Sequence, residues 1–172
     1  MYKKCFILIV LLIPMVICSC SLGEHMTMLT DDNIKKADAR MEQIFEAIAS
    51  EDKEALQSLF SKQALEEAGD IGEQIDCLFK LYQGEKESCK YNGVSSGFTI
   101  DHGKKSIQLN SWYTVKTDKE KYRFFVVDYP EDTINPDNAG LYALQVTKVE
   151  DEETQIAYGQ EMIIAGIYLP EK

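Results

Sequence analysis

The sequence predicts an α+β domain, in which three N-terminal helices pack on a curved antiparallel sheet of about four strands. Two observations support this prediction. Up to Tyr82 the apolar residues recur every three or four positions, which is the period of an amphipathic helix. After Tyr91 they recur at every second position, which is the period of a strand with one buried face. Because the connections between the strands are short, we expect antiparallel hairpins.

The predicted helices are delimited by their caps and apolar stripes. The first is expected over residues 32–49, where one face carries Ile34, Ala37, Met41, Ile44, Phe45 and Ile48. The second follows an acidic cap at residues 50–52 and ends at Gly69, since glycine favours helix C-termini. Asp70 and Glu73 have the spacing of a capping box and predict a third helix, which ends at Gly84.

Alternating apolar residues predict four strands, at residues 91–100, 107–115, 122–129 and 141–149. The third is apolar at nearly every position and is therefore expected in the centre of the sheet. Asp101-His102-Gly103-Lys104 has the composition of a tight turn between the first two strands. The apolar run at residues 162–169 must pack on the domain, and we expect an edge strand there.

The N-terminus predicts an address outside the cytoplasm. Two lysines precede an apolar run from Phe6 to Ile17, which is the pattern of a secretory signal and too short to span a bilayer. The following Ile17-Cys18-Ser19-Cys20 resembles the lipobox of bacterial lipoproteins. The resemblance implies a signal peptide over residues 1–19 and lipid on Cys20. A tether over residues 20–31 then leads to the domain at 32–172. An ordinary signal peptide that ends in cysteine is the alternative.

The charge of the chain limits the partners it can have. Removal of residues 1–19 takes away Lys3 and Lys4 and no acidic residue, so the formal net charge changes from −11 to −13. Such a surface repels nucleic acids and anionic headgroups. We therefore expect no nucleic-acid partner, and membrane attachment through the lipid on Cys20 alone, at the extracytoplasmic face of the cell membrane. Two or more acyl chains give stable attachment.

Cysteine and histidine content indicates no metal site and no cofactor. Once the signal and the lipidated residue are set aside, Cys77 and Cys89 remain, together with one in-domain histidine, His102. This is a poor zinc set. A disulfide between Cys77 and Cys89 is possible in an oxidising compartment, and two separate thiols are the alternative. The loop at residues 131–138 is rich in oxygen donors, but its spacing favours turn chemistry over a calcium site.

Two resemblances bear on the fold. The order of elements is similar to that of the nuclear transport factor 2-like (cystatin-like) superfamily, whose cone-shaped domains leave a cavity between sheet and helices. The strings at residues 54–62, 122–124, 132–142 and 165–170 resemble the uncharacterised bacterial lipoproteins of "domain of unknown function 5104". The Asn-Pro-Asp-Asn stretch in the third string is the most specific. The second resemblance implies a secreted, lipid-anchored domain and brings no established activity.

Aromatic residues on the strands form a candidate pocket on the sheet, with Asp128 as its carboxylate. The residues are Trp112, Tyr113, Tyr122, Tyr129, Tyr142 and Asp128. An aromatic-rich core is the alternative, since strands favour such residues. An isomerase-like site would need Asp128 as a base and Tyr122 or Tyr113 as the donor. More simply, Asp128 is a solvent-facing strand residue near a sheet edge, and we assign no catalytic residue.

These observations predict a membrane-anchored lipoprotein with a single, non-catalytic binding domain. A small molecule held between sheet and helices is the favoured ligand. The alternative is a protein-interaction module of the cell envelope, with a filled core and an exposed sheet face. An isomerase- or hydrolase-like enzyme is a third hypothesis.

Overall fold

The computed structural model describes residues 31–151 and 164–169. The chain divides into two compact units, Met1–Lys35 and Lys36–Lys172. Of the first unit only residues 31–35 are described, and they are helical. The predicted signal peptide, Cys20 and the tether up to residue 30 lie outside the described residues. No helix in the described ranges has both the length and the apolar content needed to cross a bilayer.

Four helices precede the sheet: α1 (31–49), α2 (Lys53–Ser58), α3 (Lys62–Glu67) and α4 (Ile71–Leu81). Side chains cap the last three. Asp52 accepts a hydrogen bond from the Ala55 N–H, Ser61 from the Ala64 N–H and Asp70 from the Glu73 N–H. These caps satisfy backbone donors that have no partner within the helix. The first and third predicted helices are confirmed as α1 and α4.

The prediction of one continuous second helix is wrong, because the chain breaks between α2 and α3. Leu59, Phe60 and Ser61 lie against the start of the fourth strand. The Ser61 N–H donates to the Leu141 carbonyl at 2.8 Å, and the Leu141 N–H donates to the Leu59 carbonyl at 2.9 Å. Phe60 forms an isolated parallel bridge with Leu141. These bonds replace the ones that a continuous helix would make there.

The sheet has five strands rather than about four, in the order β1-β2-β3-β4-β5, and it is not closed. The strands are β1 (Lys86–Asp101), β2 (Lys104–Thr117), β3 (Lys121–Asp132), β4 (Gly140–Lys148) and β5 (Gly166–Tyr168). The first four are antiparallel, as the short connections predict, and β3 is central. β5 comes from the C-terminal apolar run, but it pairs parallel to β4.

The two faces of the sheet differ in what they contact. One face packs on the helices and supplies the core residues Tyr113, Val115, Tyr122, Phe124 and Val126, all at most 2% exposed. We call this the helix-side face. Residues directly opposite each other on neighbouring strands share a face. The other face, here the open face, therefore carries Lys90, Trp112, Thr114, Lys116, Lys121, Arg123 and Phe125.

Candidate functional site

The residues of the predicted pocket do not line one cavity. Tyr113, Tyr122 and Asp128 lie on the helix-side face, and Trp112 lies on the open face. Tyr129 and Tyr142 contact each other, with ring centroids 5.9 Å apart and planes at 76°. The six residues thus occupy three separate environments.

Tyr113 and Tyr122 are core residues whose hydroxyl groups fasten helices to the sheet. The Tyr113 hydroxyl donates to Asp38 Oδ1 of α1 at 2.9 Å. The Tyr122 hydroxyl donates to the Leu81 carbonyl at 3.0 Å and accepts from the Gln83 N–H at 2.8 Å. Burial, followed by the Asp38 carboxylate, raises the pKa of Tyr113 far above its ordinary value. Both hydroxyls bond these partners rather than Asp128, so the isomerase-like pairing is not formed.

Asp128 is buried in the central strand, which corrects its interpretation as a solvent-facing residue near an edge. It is 3% exposed, and its Oδ1 accepts from Nε of Arg40 on α1 at 2.8 Å. Burial raises the pKa of Asp128, and the Arg40 guanidinium opposes that rise without cancelling it. Arg40 also donates to Gln43 at 2.9 Å. Asp128 therefore belongs to a buried ion pair between α1 and the sheet.

Tyr129 and Tyr142 lie at the end of the sheet next to α3. The Tyr142 hydroxyl donates to Glu67 Oε2 of α3 at 2.6 Å. This bond, followed by burial, raises the pKa of Tyr142 to about 12, and it lowers the pKa of Glu67. Burial raises the pKa of Tyr129 as well. The pair joins the helical segment to β3 and β4.

The oxygen-rich loop after β3 is organised by Asp132. Its Oδ1 accepts from the N–H groups of Ile134 and Asn135, at 3.0 and 2.7 Å. Its Oδ2 accepts from Ser106 and from the Asn138 amide, at 2.9 and 3.2 Å. Burial raises the pKa of Asp132, but these hydrogen bonds outweigh it and hold the pKa below its ordinary value. The Asp132 carboxylate is thus engaged in turn formation.

In the part of the chain that the structure describes, no three His, Cys, Asp or Glu side chains converge so that they could hold a metal ion. Cys77 and Cys89 are both free and exposed, and the possible disulfide is not formed. Cys77 lies on α4 between the buried Ile75 and Leu78, on the outward side of the helix. Partial burial raises the pKa of the Cys89 thiol; nearby Lys86 opposes this rise, and the carboxylates of Asp38 and Glu42 on α1 add to it. The two thiols therefore have different surroundings.

A depression of about 540 Å³ lies on the open face, across β1, β2 and β3. We call it the lysine groove, and it is lined by Ser88, Lys90, Asn92, Trp112, Thr114, Lys116, Lys121 and Arg123. Two rungs of directly opposite residues build it. In one, Thr114 lies between Lys90 and Arg123; in the other, Lys116 lies between Ser88 and Lys121. Trp112 stacks on Phe125 at a ring-centroid distance of 5.1 Å and forms the apolar end.

The charge of the lysine groove is opposite to that of the chain. Four of the residues that line it are cationic and none is acidic, whereas the chain carries a formal charge of −11. Lys116 contacts Glu87 at 2.5 Å at the rim. Lys90 and Lys121 are exposed, and neither has a carboxylate partner among the described residues. Strand alternation therefore gathers cations on one face of an acidic protein.

Sequence reasoning missed Arg40 and the groove lysines, although each had a signal. Arg40 stands three residues after Ala37 and four before Ile44, which puts a cation on the apolar stripe of α1. Lys116 and Lys121 alternate with the buried Val115 and Tyr122. The alternation assigns a face to each lysine, but only the pairing of the strands brings the lysines together.

Comparison with models of known protein families gives a match. A family model described as "Domain of unknown function (DUF5104)" matches residues 43–149, which contain the C-terminal part of α1, all of α2 to α4 and the first four strands. A search of curated proteins finds no match. Because the model covers more than half of the chain, the protein belongs to the DUF5104 family.

Proposed function

We propose that this protein is a non-catalytic binding domain of the cell envelope, anchored to the membrane through lipid on Cys20, and that its lysine groove binds an anionic ligand. The accumulation of cations around Trp112 in an acidic chain is the observation that carries the proposal. The ligand is a carboxylate or phosphate compound of the envelope, with a flat or apolar part that contacts the tryptophan.

The geometry of the groove suits such a ligand. Neighbouring strands are about 4.8 Å apart, so the cations on adjacent strands can share one anionic group or neighbouring ones. Lys90 and Lys121 are exposed on strands at either side of β2, and Asn92 and Thr114 add hydrogen-bonding groups between them. Asn92 is positioned by a 2.7 Å hydrogen bond to the Thr114 hydroxyl. Trp112 supplies apolar contact area at low entropic cost.

The anchor and the superfamily are part of the same proposal. The lipobox-like Ile17-Cys18-Ser19-Cys20 and the preceding apolar run support lipidation and extracytoplasmic display. Helices followed by an open sheet whose first four strands are antiparallel support an assignment to the nuclear transport factor 2-like superfamily. Display on the membrane surface places the groove among envelope components.

Charge reversal tests the groove. We expect Lys90→Glu/Lys121→Glu to weaken binding of a labelled hexaglutamate peptide or of inorganic tripolyphosphate by at least about tenfold. The matched control is Lys80→Glu/Lys104→Glu, which makes the same charge change at exposed positions outside the groove. Equal losses of binding affinity in the two double variants would show that the probes respond to the net charge of the protein and not to the lysine groove. The two probes separate a carboxylate ligand from a phosphate one.

The anchor is tested independently. We expect Cys20→Ala to abolish fatty-acid labelling and to move the protein out of the sedimented membrane fraction. Cys18→Ala is the matched control, because it changes a neighbouring cysteine and preserves the lipidated position. Unchanged labelling in the Cys20 variant contradicts the anchored proposal and leaves the groove proposal intact.

A second candidate function is the binding of a small molecule on the helix side of the sheet. A cleft of about 440 Å³ lies between α1 and the connection from α4 to β1, and it is lined by Glu42, Phe45, Glu46, Ala49, Tyr82, Gly84, Glu85 and Lys86. Lys86 pairs with Glu42 at 3.3 Å, so the apolar wall and the carboxylates of Glu46 and Glu85 are the groups that suit a small amine. Native mass spectrometry of the purified full-length chain tests it. A co-purifying small molecule that is lost in Ala49→Trp supports this candidate, whereas bare polypeptide in repeated preparations contradicts it.

A further inference from the structure

The outer edge of β1 lacks the charges that normally protect an exposed strand. β1 is sixteen residues long and lies at the edge of the sheet, where it pairs with β2 along its length. Residues 91–100 contain no charged side chain, in a chain of which 27% is charged. Phe98 and Ile100 are 61% and 66% exposed. Exposed edges usually carry lysine, proline or other blocking features, so this one is suited to pair with another strand.

The pairing segment is delimited on both sides. A register shift between Tyr91 and Gly93 ends it on one side, and the His102-Gly103 turn ends it on the other. Nine residues, 93–101, lie between them. Within this segment the regular pairing with β2 places Val94, Ser96, Phe98 and Ile100 on one face of the sheet and Ser95 and Thr99 on the other.

We propose that residues 93–101 pair antiparallel with the same residues of a second copy of this chain, with Gly97 opposite Gly97. This register pairs the whole segment with itself. It places Val94 opposite Ile100 of the second copy, twice by symmetry, and Phe98 opposite Ser96. Side chains directly opposite on an antiparallel pair share a face and interact. The register therefore gives the exposed Ile100 an apolar partner, Val94, on one face, and it places Ser95 opposite Thr99 on the other.

Charge is compatible with this pairing. Asp101 lies opposite the uncharged Gly93 of the second copy, and Lys86, Glu87 and Lys90 lie beyond the paired segment. No like charges are opposed. A shift of two residues in one direction would oppose Ile100 to Asn92 at the register shift, and a shift in the other would oppose Val94 to His102 in the turn. Of these registers, only the one centred on Gly97 pairs all nine residues of the segment without reaching the register shift or the turn.

The two-fold axis would run perpendicular to the sheet, so both open faces would lie on the same side of a continuous ten-stranded sheet. The proposed dimer does not depend on the proposed function, because it rests on the edge of β1 and not on the lysine groove. Where both hold, two lysine grooves face one surface, and an anionic polymer can engage both with a gain in avidity.

A cysteine on the two-fold axis tests the register. Opposite residues in an antiparallel pair have Cα atoms about 4.5–5.5 Å apart, which falls in the range for a disulfide. We expect Gly97→Cys, in the full-length chain with its five native cysteines (Cys5, Cys18, Cys20, Cys77 and Cys89) changed to serine, to form a disulfide-linked dimer on mild oxidation. Lys90→Cys in the same background is the control, because the two copies of residue 90 would be about 45 Å apart along the strands. Absence of the dimer at residue 97, or equal cross-linking at both positions, overturns the proposal.

A charge exchange tests the apolar pair. We expect the wild-type full-length chain in mild detergent to have the molar mass of a dimer by light scattering. Ile100→Lys should make it monomeric, and so should Val94→Glu. The double variant Val94→Glu/Ile100→Lys should regain the dimer, because each lysine then faces a glutamate. A monomeric wild type, or a double variant no more dimeric than the single ones, overturns the proposal. Circular dichroism confirms that each variant is folded.

Discussion

Nε of Arg40 lies 2.8 Å from Oδ1 of Asp128, across the interface between the first helix and the central strand. The two residues are 88 positions apart in the sequence. Their side chains are unequally covered, with 19% of the arginine and 4% of the aspartate exposed. Arg40 can therefore reach water when its partner is removed, whereas Asp128 cannot.

This asymmetry predicts different costs for removing the two partners. We expect Arg40→Ala to lower the free energy of unfolding by about 3–5 kcal/mol, because it leaves a buried carboxylate unpaired. Asp128→Asn should cost only about 1–2 kcal/mol. Urea denaturation at neutral pH measures both values. Lys53→Ala, which breaks an exposed pair with Asp76, is the control and should change stability by less than about 1 kcal/mol. A larger loss in the Asp128 variant would contradict the prediction.

The same pair predicts a pH effect. Burial raises the pKa of Asp128 even with Arg40 present, and loss of Arg40 should raise it further. A carboxyl whose pKa is raised in the folded state is most favourable to folding at low pH, when it is protonated, and that contribution is lost as the pH rises through the folded-state pKa. The stability deficit of Arg40→Ala should therefore shrink as the pH falls from 7 towards 5. A constant deficit over this range would contradict the argument.

The cap between the two short helices is also testable. Ser61 is buried, and its hydroxyl accepts from the Ala64 N–H at 3.0 Å. We expect Ser61→Ala to destabilise the protein by about 1–2 kcal/mol in chemical denaturation, since it removes an N-cap. Ser58→Ala is the matched control, because its exposed hydroxyl bonds only the Ala55 carbonyl within the same helix. Equal effects would mean that the cap contributes nothing specific.

Gly140 lies where β4 meets the segment between α2 and α3, and it has a φ of +130°. A Cβ atom there would lie 3.0 Å from the Ser61 nitrogen and 3.1 Å from the Leu59 oxygen. Both neighbours are backbone atoms that bond Leu141, so they cannot move freely. We expect Gly140→Ala to lower stability by about 2 kcal/mol or more. Gly97→Ala, whose nearest neighbour would be 3.7 Å away, should stay within about 1 kcal/mol. Thermal unfolding measures both variants, and a loss of stability in Gly140→Ala no larger than that in Gly97→Ala would contradict the prediction.

Tyrosine ionisation should be shifted to high pH in the folded protein. Burial raises the pKa of Tyr82 and of Tyr168 to about 12, and the bond to Glu67 brings Tyr142 to the same value. The unfolded value is about 10. Because these pKa values are raised, the folded state retains protons that the unfolded state releases, and stability falls as the pH rises from about 10 to 12. Absorbance at 295 nm should show few tyrosinates at pH 11 before unfolding. Ionisation of most tyrosine hydroxyl groups near pH 10 in the folded protein would contradict the prediction.

Local patterns predicted much of the fold. The three- and four-residue period gives α1 and α4, and the apolar run at 122–129 gives a central strand. The break between α2 and α3 follows from backbone bonds to Leu141, which lies some eighty residues further along the chain. The direction of β5 depends on how the chain returns to β4. Helical periodicity and strand alternation contain no information on either.

The candidate site was less accessible from the sequence. Strand alternation by itself puts the neighbouring Trp112 and Tyr113 on opposite faces, as the structure has them. Pooling all the aromatic residues into one pocket ignored that alternation. The burial of Asp128 depends on Arg40, and a charged strand residue with an unknown partner resembles an exposed one. Long-range pairs of this kind are decided by packing between elements.

Gln74 of α4 joins three elements with one side chain amide. Its Oε1 accepts from the Ile167 N–H at 2.8 Å, and its Nε2 donates to the Ala68 carbonyl at 2.9 Å. β5 is three residues long, and it is held by these hydrogen bonds, by its pairing with β4 and by the burial of Ala165 and Ile167 in the core. Its detachment would be a sub-global opening that uncovers the β4 rim at residues 143–145. Amide hydrogen exchange of Ile167 should then be faster than that of Phe124, and Gln74→Ala should widen the difference. The strength of the two Gln74 hydrogen bonds therefore influences how often the edge of β4 is exposed and free to pair with a strand of another molecule.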